Sequence, residues 1–247
     1  MAEDQTSSVI LLDIRKGKEL MIQAAVFDLD HTLFDRYATQ KLCMQGFCEH
    51  FEVSDGMTDE IAAEKLEYAD RRFNHLGWDK ILDQLIKENV FKVAPTLEAY
   101  SAFLMNKFKD FAVPYEFTKP MLEELRRKGL KIGLITNGKS EIQRSKINRL
   151  GIADFFDEII ISGELGVGKP NTKPFEVMAQ RLGIQPQNMI YVGDFPVNDI
   201  EASRKAGYIP VWVMTMKYWL FPEIEVPEFC IKDVSKVPEI IEELNKR

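Results

Sequence analysis

Three cysteines and three histidines are all that the 247 residues contain. The cysteine count is odd, and Cys43 and Cys48, the nearest pair, have four residues between them and no histidine cluster nearby. Neither a disulfide framework nor a zinc site is indicated, and reduced, buried thiols are expected. Basic charge is also short: 32 Lys and Arg against 39 Asp and Glu leave a net −7. That balance provides no global positive field to hold nucleic acid or an anionic membrane, although a small anion can still meet a local basic pocket. No apolar run approaches the roughly 20 residues needed to span a bilayer. The start, Met1-Ala2-Glu3-Asp4-Gln5, lacks the basic residues and apolar stretch of a signal peptide, so a cytoplasmic protein off the membrane is expected. Solenoid-period repeats and low-complexity tracts are missing as well.

What is present is an ordinary globular composition, 45% apolar and 29% charged, which sets general disorder aside. From Met21 onward, short β-rich runs alternate with helical ones, the pattern of a parallel sheet covered by helices on both faces, and the fold class is α/β. Strands are expected over 23–28, 131–136, 158–162, 189–194 and 209–214, the first four running into polar tips. Helices are expected over 119–128, 140–150, 173–182 and 199–206, with Gly129, Gly151, Gly183 and Gly207 as their C-terminal stops. One stretch, 36–114, breaks the alternation and reads as an inserted helical bundle, leaving 1–35 and 115–247 for the α/β core. Within it Ile61, Glu64, Lys65, Tyr68 and Arg72 are spaced along one amphipathic helix, and Leu82, Leu85 and Ile86 mark another. Phe47, Phe51, Phe73, Trp78, Phe91, Phe103 and Phe108 read as bundle core before they read as a substrate box. An edge strand over 9–14, a mobile polar 1–8, packing elements around Trp219-Leu220-Phe221 and a final helix over 238–245 complete the reading.

The chemistry sits at the strand tips, where an open α/β sheet binds its ligands. Asp28 ends the apolar run Val26-Phe27 and is the candidate nucleophile, since a carboxylate that attacks phosphorus splits a hard hydrolysis into two easier displacements. Asp30 is the candidate acid and base, protonating the departing oxygen and later deprotonating water. Carboxylates facing a phosphate dianion need a hard divalent cation, and Mg2+ fits best, with Asp194 as a further ligand and Asp199 in the following loop. Thr136-Asn137-Gly138 offers a hydroxyl and backbone amides to phosphoryl oxygens, and Lys169 supplies positive charge. Singly, each has a bland reading: a solvated turn for Asp-x-Asp, a helix cap for the threonine, a turn for Gly-Lys-Pro and a loop for Gly-Asp. Four such tips in this order, with a helical insert after the first, are improbable as unrelated turns.

At these residues the chain resembles the haloacid dehalogenase-like hydrolase superfamily, in particular the phosphatases with a helical cap of the C1, or subfamily I, type. The resemblance runs from Met21 to Val213. Asp28-Leu29-Asp30-His31-Thr32 is similar to the first motif, Thr136-Asn137 to the second, Lys169-Pro170 to the third, and Gly193-Asp194 through Asn198-Asp199 to the fourth. It implies a Rossmann-like core with Asp28, the Asp30 carbonyl and Asp194 on Mg2+, and Asp199 behind them or as a weaker ligand. It places Thr136 and Asn137 on the phosphoryl group, and His31 and Phe34 on the turn that signals cap closure. Dehalogenases of the superfamily lack the second aspartate, so Asp30 favours phosphate esters. A phosphomutase uses the same residues; phosphonate cleavage requires a cap lysine, and nothing singles out Lys41, Lys65, Lys80 or Lys87. A non-catalytic metabolite-binding module and a metal-dependent glycosyltransferase fit the full motif set less well. The expected substrates are small phosphate monoesters: nucleoside monophosphates, which are slightly favoured, sugar phosphates or phosphoglycolate. Specificity is assigned to the insert, where 71–78 offers Arg71, Arg72, His75 or Trp78 to a sugar or base, the blander alternative being a solvated helix end. Whether the chain is a monomer or a homodimer is not written in these residues.

Overall fold

The computed structural model describes residues 21–73, 76–215 and 219–247. The readings for 1–20, Asn74 and His75 lie outside the described residues. Six parallel strands form one sheet in the order β5-β4-β1-β6-β7-β8, made of β1 (Ala24–Phe27), β4 (Lys131–Thr136), β5 (Glu158–Ile161), β6 (Met189–Gly193), β7 (Ile209–Val213) and β8 (Phe229–Ile231). Ala24, Ala25, Val26 and Phe27 are all fully buried, because a central parallel strand is covered on both faces and so reads as an unbroken apolar run. Ala25 and Phe27 join Ile132, Leu134, Ile190 and Val192 in one core with the helices Thr118–Arg127 and Val237–Leu244. Ala24 and Val26 face the other way, onto Phe175 and Met178 of the Lys173–Leu182 helix. Gly133 lets that helix close on the sheet, since a Cβ there would lie 2.7 Å from Met178 Sδ. Each large side chain buried in these cores contributes about 1.5–3 kcal/mol, against about 0–1 for an exposed ion pair, so the sheet's apolar faces and not the surface charges hold the fold.

The last strand, β8, was not expected. It is short, and Cys230 points outward between buried Phe229 and Ile231, so this thiol is exposed and not buried as the composition suggested. The helix expected over 199–206 begins earlier, as a wide π-type turn over Pro196–Glu201 that carries Asp199 inward before the regular turn Ala202–Lys205.

A two-stranded antiparallel ribbon, β2 (Phe34–Asp35) with β3 (Val113–Pro114), forms the stem of the insert. Between its strands run the helices Arg36–Cys43, Phe47–His50, Asp59–Phe73, Trp78–Lys87 and Leu97–Asp110. They share an apolar core of their own in which Phe47, Phe91, Phe103 and Phe108 are buried. The spacing of Ile61, Glu64, Lys65, Tyr68 and Arg72 does belong to one amphipathic helix, Asp59–Phe73, with Ile61 and Tyr68 on its exposed face. The buried face is Ala62, Ala63, Leu66, Ala69 and Asp70, where small side chains allow close helix packing and one acid is turned inward for a partner described below.

Candidate active site

The chain leaves β1 at Asp28 and leaves β6 at Asp194, and these adjacent strands send their connections to opposite sides of the sheet. That is the switch point at which such sheets open a crevice. Carboxylate oxygens of Asp28, Asp194 and Asp199 lie within 4.8 Å of one another. Lys169 Nζ donates to Asp28 Oδ1 at 2.6 Å, to Asp199 Oδ1 at 2.7 Å and to the Tyr191 hydroxyl at 2.8 Å. Asp199 Oδ2 in turn accepts from the Phe195 amide at 2.9 Å, and Asp194 Oδ2 accepts from the Thr215 hydroxyl at 3.1 Å. Burial pushes the Asp28 carboxyl up to about 7, with Asp199 and Asp30 adding to the rise and Lys169 opposing it. Burial, then Asp199 and Asp28, push Asp194 well above the usual carboxylate range. Although burial works against its charge, Lys169 is held protonated by Asp199 and Asp28. Crowded hard oxygen donors with an excess of negative charge are the chemistry of a divalent-cation cradle; Asp28 and Asp194 fit one, with Asp199 beside them engaged by Lys169 and the Phe195 amide.

Asp30, two residues on, meets the opposite environment. Lys146 Nζ donates to its oxygens at 2.8 and 3.1 Å, Arg36 Nη1 at 2.7 Å and Gln143 Nε2 at 3.0 Å. Burial opposes ionisation, yet Lys146 and Arg36 hold the Asp30 carboxyl well below the usual range. Arg36 also donates to Asp70 through Nη2 at 2.9 Å and Nε at 3.3 Å, so the first residue after the stem joins Asp30 to the insert. His31, between the aspartates and the stem, is buried with a φ of 63°, and Phe34 is fully buried in β2.

Thr136, at the tip of β4, is buried and accepts from Gln143 Nε2. Asn137 follows at the same strand tip and also lines the cavity described below. Its Nδ2 donates to the Lys169 carbonyl at 2.7 Å and its Oδ1 accepts from the Lys169 amide at 2.9 Å, so the side chain fixes the lysine's backbone. Gly168 makes room for this, since a Cβ there would lie 2.5 Å from Asn137 Oδ1, and Gly193 makes room for Asp199, whose Cβ would lie 2.5 Å from one added there.

All seven sequence-selected residues, Asp28, Asp30, Thr136, Asn137, Lys169, Asp194 and Asp199, line one cavity of about 350 Å³. Trp78, Met105 and Phe108 of the insert and Ile142 of the Ser140–Leu150 helix form its apolar wall. Trp78 and Phe108 thus serve both the bundle core and the cavity wall. Arg71 and Arg72 are not among its lining residues, nor are Lys41, Lys65, Lys80 and Lys87. Sequence reasoning missed Arg36, Gln143, Lys146 and Tyr191. Gln143 and Lys146 left a signal, two polar residues three apart on the helix face that also buries Ile147 and Leu150. Tyr191, inside an apolar strand, left none.

The model of the family described as haloacid dehalogenase-like hydrolase matches residues 25–213. The chain belongs to that family. Among curated relatives, glyceraldehyde 3-phosphate phosphatase of Methanopyrus kandleri is 33% identical over 92% of this chain and 100% of its own. The enzyme of that name from Methanocaldococcus jannaschii is 30% identical, again over 92% and 100%. This haloacid dehalogenase-like chain is accordingly an enzyme, of the family's phosphatase type. Its fold is shared with the magnesium-bound HAD-hydrolase YfnB of Bacillus subtilis, at a TM-score of 0.70 and 19% identity over 90% of this chain and 99% of that one. L-2-haloacid dehalogenase of Xanthobacter autotrophicus shares it at 0.65 and 19%, over 90% and 99%. Among the described residues no helix is long and apolar enough to cross a membrane.

Proposed function

We propose that this enzyme hydrolyses a short phosphate monoester, a three-carbon sugar phosphate of the glyceraldehyde 3-phosphate kind, through an aspartyl phosphate on Asp28 with Mg2+ as cofactor and the 36–114 insert as cap. The observation that carries the reading is the division of two neighbouring aspartates between opposite environments: Asp28 among carboxylates with Lys169, Asp30 among Lys146, Arg36 and Gln143. Asp28 attacks phosphorus, and Asp30 hands a proton to the departing ester oxygen. Asp30 then takes a proton from the water that opens the acyl phosphate, and Asp28 is released. Lys169 offsets charge on the phosphoryl oxygens, while the Thr136 hydroxyl and the amides after it donate to them. Asp28, Asp194 and the Asp30 carbonyl would hold the cation, with Asp199 holding Lys169 from behind; when bound, Mg2+ neutralises the charge that otherwise keeps a carboxylate and a phosphate apart. The modest cavity and the names of the full-length relatives support a three-carbon ester over the nucleotides first favoured.

Phosphate release from glyceraldehyde 3-phosphate, measured with Mg2+ and with chelator, tests the proposal. Release that requires Mg2+ and disappears in Asp28→Asn is the expected result. No release from this ester, other sugar phosphates or para-nitrophenyl phosphate would sink it.

A further inference from the structure

We infer that the leaving-group side of this cavity is built for an uncharged group, so that the enzyme rejects esters whose carbon skeleton ends in a carboxylate or a second phosphate; the inference rests on the phosphate-monoester reading above. The wall beyond the aspartates is apolar, made by Trp78, Met105, Phe108 and Ile142. Two cations reach that wall, and both are committed. Arg36 spends its guanidinium on Asp30 at 2.7 Å and on Asp70 at 2.9 and 3.3 Å, with its Cζ 5.5 Å from the centre of the Phe108 ring. Lys146 spends its ammonium on both oxygens of Asp30, between the rings of Phe34 at 5.4 Å and Phe108 at 5.1 Å. Arg36 and Lys146 against Asp30 and Asp70 sum to zero.

The remaining lining cations stand at the phosphoryl end: Lys169 on Asp28 and Asp199, and Lys139 beside Gly138 at the β4 tip. A carboxylate on the leaving group would therefore shed its water against an apolar wall at which, among the described residues, Arg36 and Lys146 are already paired, a penalty that grows with burial. A hydroxyl or aldehyde carbonyl carries no such penalty.

The test compares three esters of one carbon skeleton on the Mg2+-loaded wild-type chain: glyceraldehyde 3-phosphate, glycerol 3-phosphate and 3-phosphoglycerate. Both uncharged leaving groups are expected to exceed the carboxylate in kcat/KM by about 100-fold, the scale on which sites reject an ill-matched polar group. A ratio under about tenfold for either one, with turnover present, overturns the inference and leaves the phosphatase reading intact. Absence of turnover on all three and on para-nitrophenyl phosphate overturns the phosphatase reading and this inference with it. Two variants on different elements test the cause. Asp70→Asn frees part of Arg36 and Ile142→Lys adds a cation to the wall, and in each cooperatively melting variant the ratio is expected to narrow at least fivefold. An unchanged ratio in a folded variant counts against the paired-cation explanation.

Discussion

Asp28 and Asp30 carry the same side chain two positions apart, yet their surroundings drive them in opposite directions. Burial beside other carboxylates raises Asp28 to about 7, whereas the cations around Asp30 hold it low. Without a cation or phosphate these directions are the reverse of what the proposed steps need: a divalent cation held by Asp28 would bring it back to the ionised nucleophile, and a phosphoryl dianion beside Asp30 would raise it toward the protonated acid. Lys146 contacts Asp30 and is a positioning residue for it, so Lys146→Met is expected to lower kcat by about 10²–10⁴-fold, the range of a general acid–base contribution, with little change in KM. Lys146→Arg should restore part of it; steady-state kinetics that show KM moving and kcat unchanged would rule the role out. Asp70 is a stability residue as well. It is 1% exposed, and although burial opposes its charge, Arg36 holds its carboxyl well below the usual range. A depressed carboxyl contributes in full at neutral pH, and that contribution fades as the pH falls below about 4, the ordinary value. Asp70→Asn should thus cost about 3–5 kcal/mol at pH 7, as for one partner removed from a buried pair. Denaturant titrations between pH 4 and 2 should show the wild type losing stability faster than the variant, by up to about 1.4 kcal/mol per pH unit; parallel curves would mean Asp70 is not held low.

At the scale of elements, the strand-tip residues are readable in the sequence and their supports are not. Strand ends in an α/β sheet are announced by an apolar run stopping at a polar residue, which is how Asp28, Thr136 and Asp194 were found. The turn after β6 was less legible, because its π-type geometry depends on Gly193 lacking a side chain as much as on any helix signal. Gly193→Ala would drive a Cβ to 2.5 Å from Asp199, pushing it off Lys169. The expected outcome is a loss of kcat of at least about tenfold and destabilisation of about 1–3 kcal/mol, as for other overpacked sites. Activity and melting temperature both within error of wild type would show that the turn absorbs the methyl group. Which face of a helix turns inward is not legible in the period alone. Ile61 and Tyr68 obey the period of an amphipathic helix but occupy its exposed side, since the period fixes which residues share a face and not which face turns inward. The inward face includes Asp70, whose partner Arg36 is 34 residues away in sequence. Pairings at that separation, like those of Lys146 and Gln143 with Asp30, have no local signature.

At the scale of the molecule, the strand order sets β1 and β6 side by side, and so sets Asp28 against Asp194 although 166 residues separate them by number (194 − 28). The fold thereby concentrates three carboxylates that repel one another, a cost that folding tolerates only because apolar burial across the sheet is far larger. A bound divalent cation removes that repulsion in the native state alone, so it must stabilise the whole chain by mass action. At Mg2+ concentrations about 100 times its dissociation constant the gain is about 2.7 kcal/mol. In a chain of this size that gain corresponds to a rise in melting temperature of about 5–11 °C over the chelator-treated protein. Asp194→Asn should lose most of that rise. It should also melt no lower than wild type in chelator, because replacing one of three crowded carboxylates by an amide relieves the repulsion that raises Asp28 and Asp194. Melting temperatures of both proteins with Mg2+ and with chelator decide the matter. An equal shift in the two would place the cation elsewhere, and no shift in the wild type would remove the cation from the account of this site.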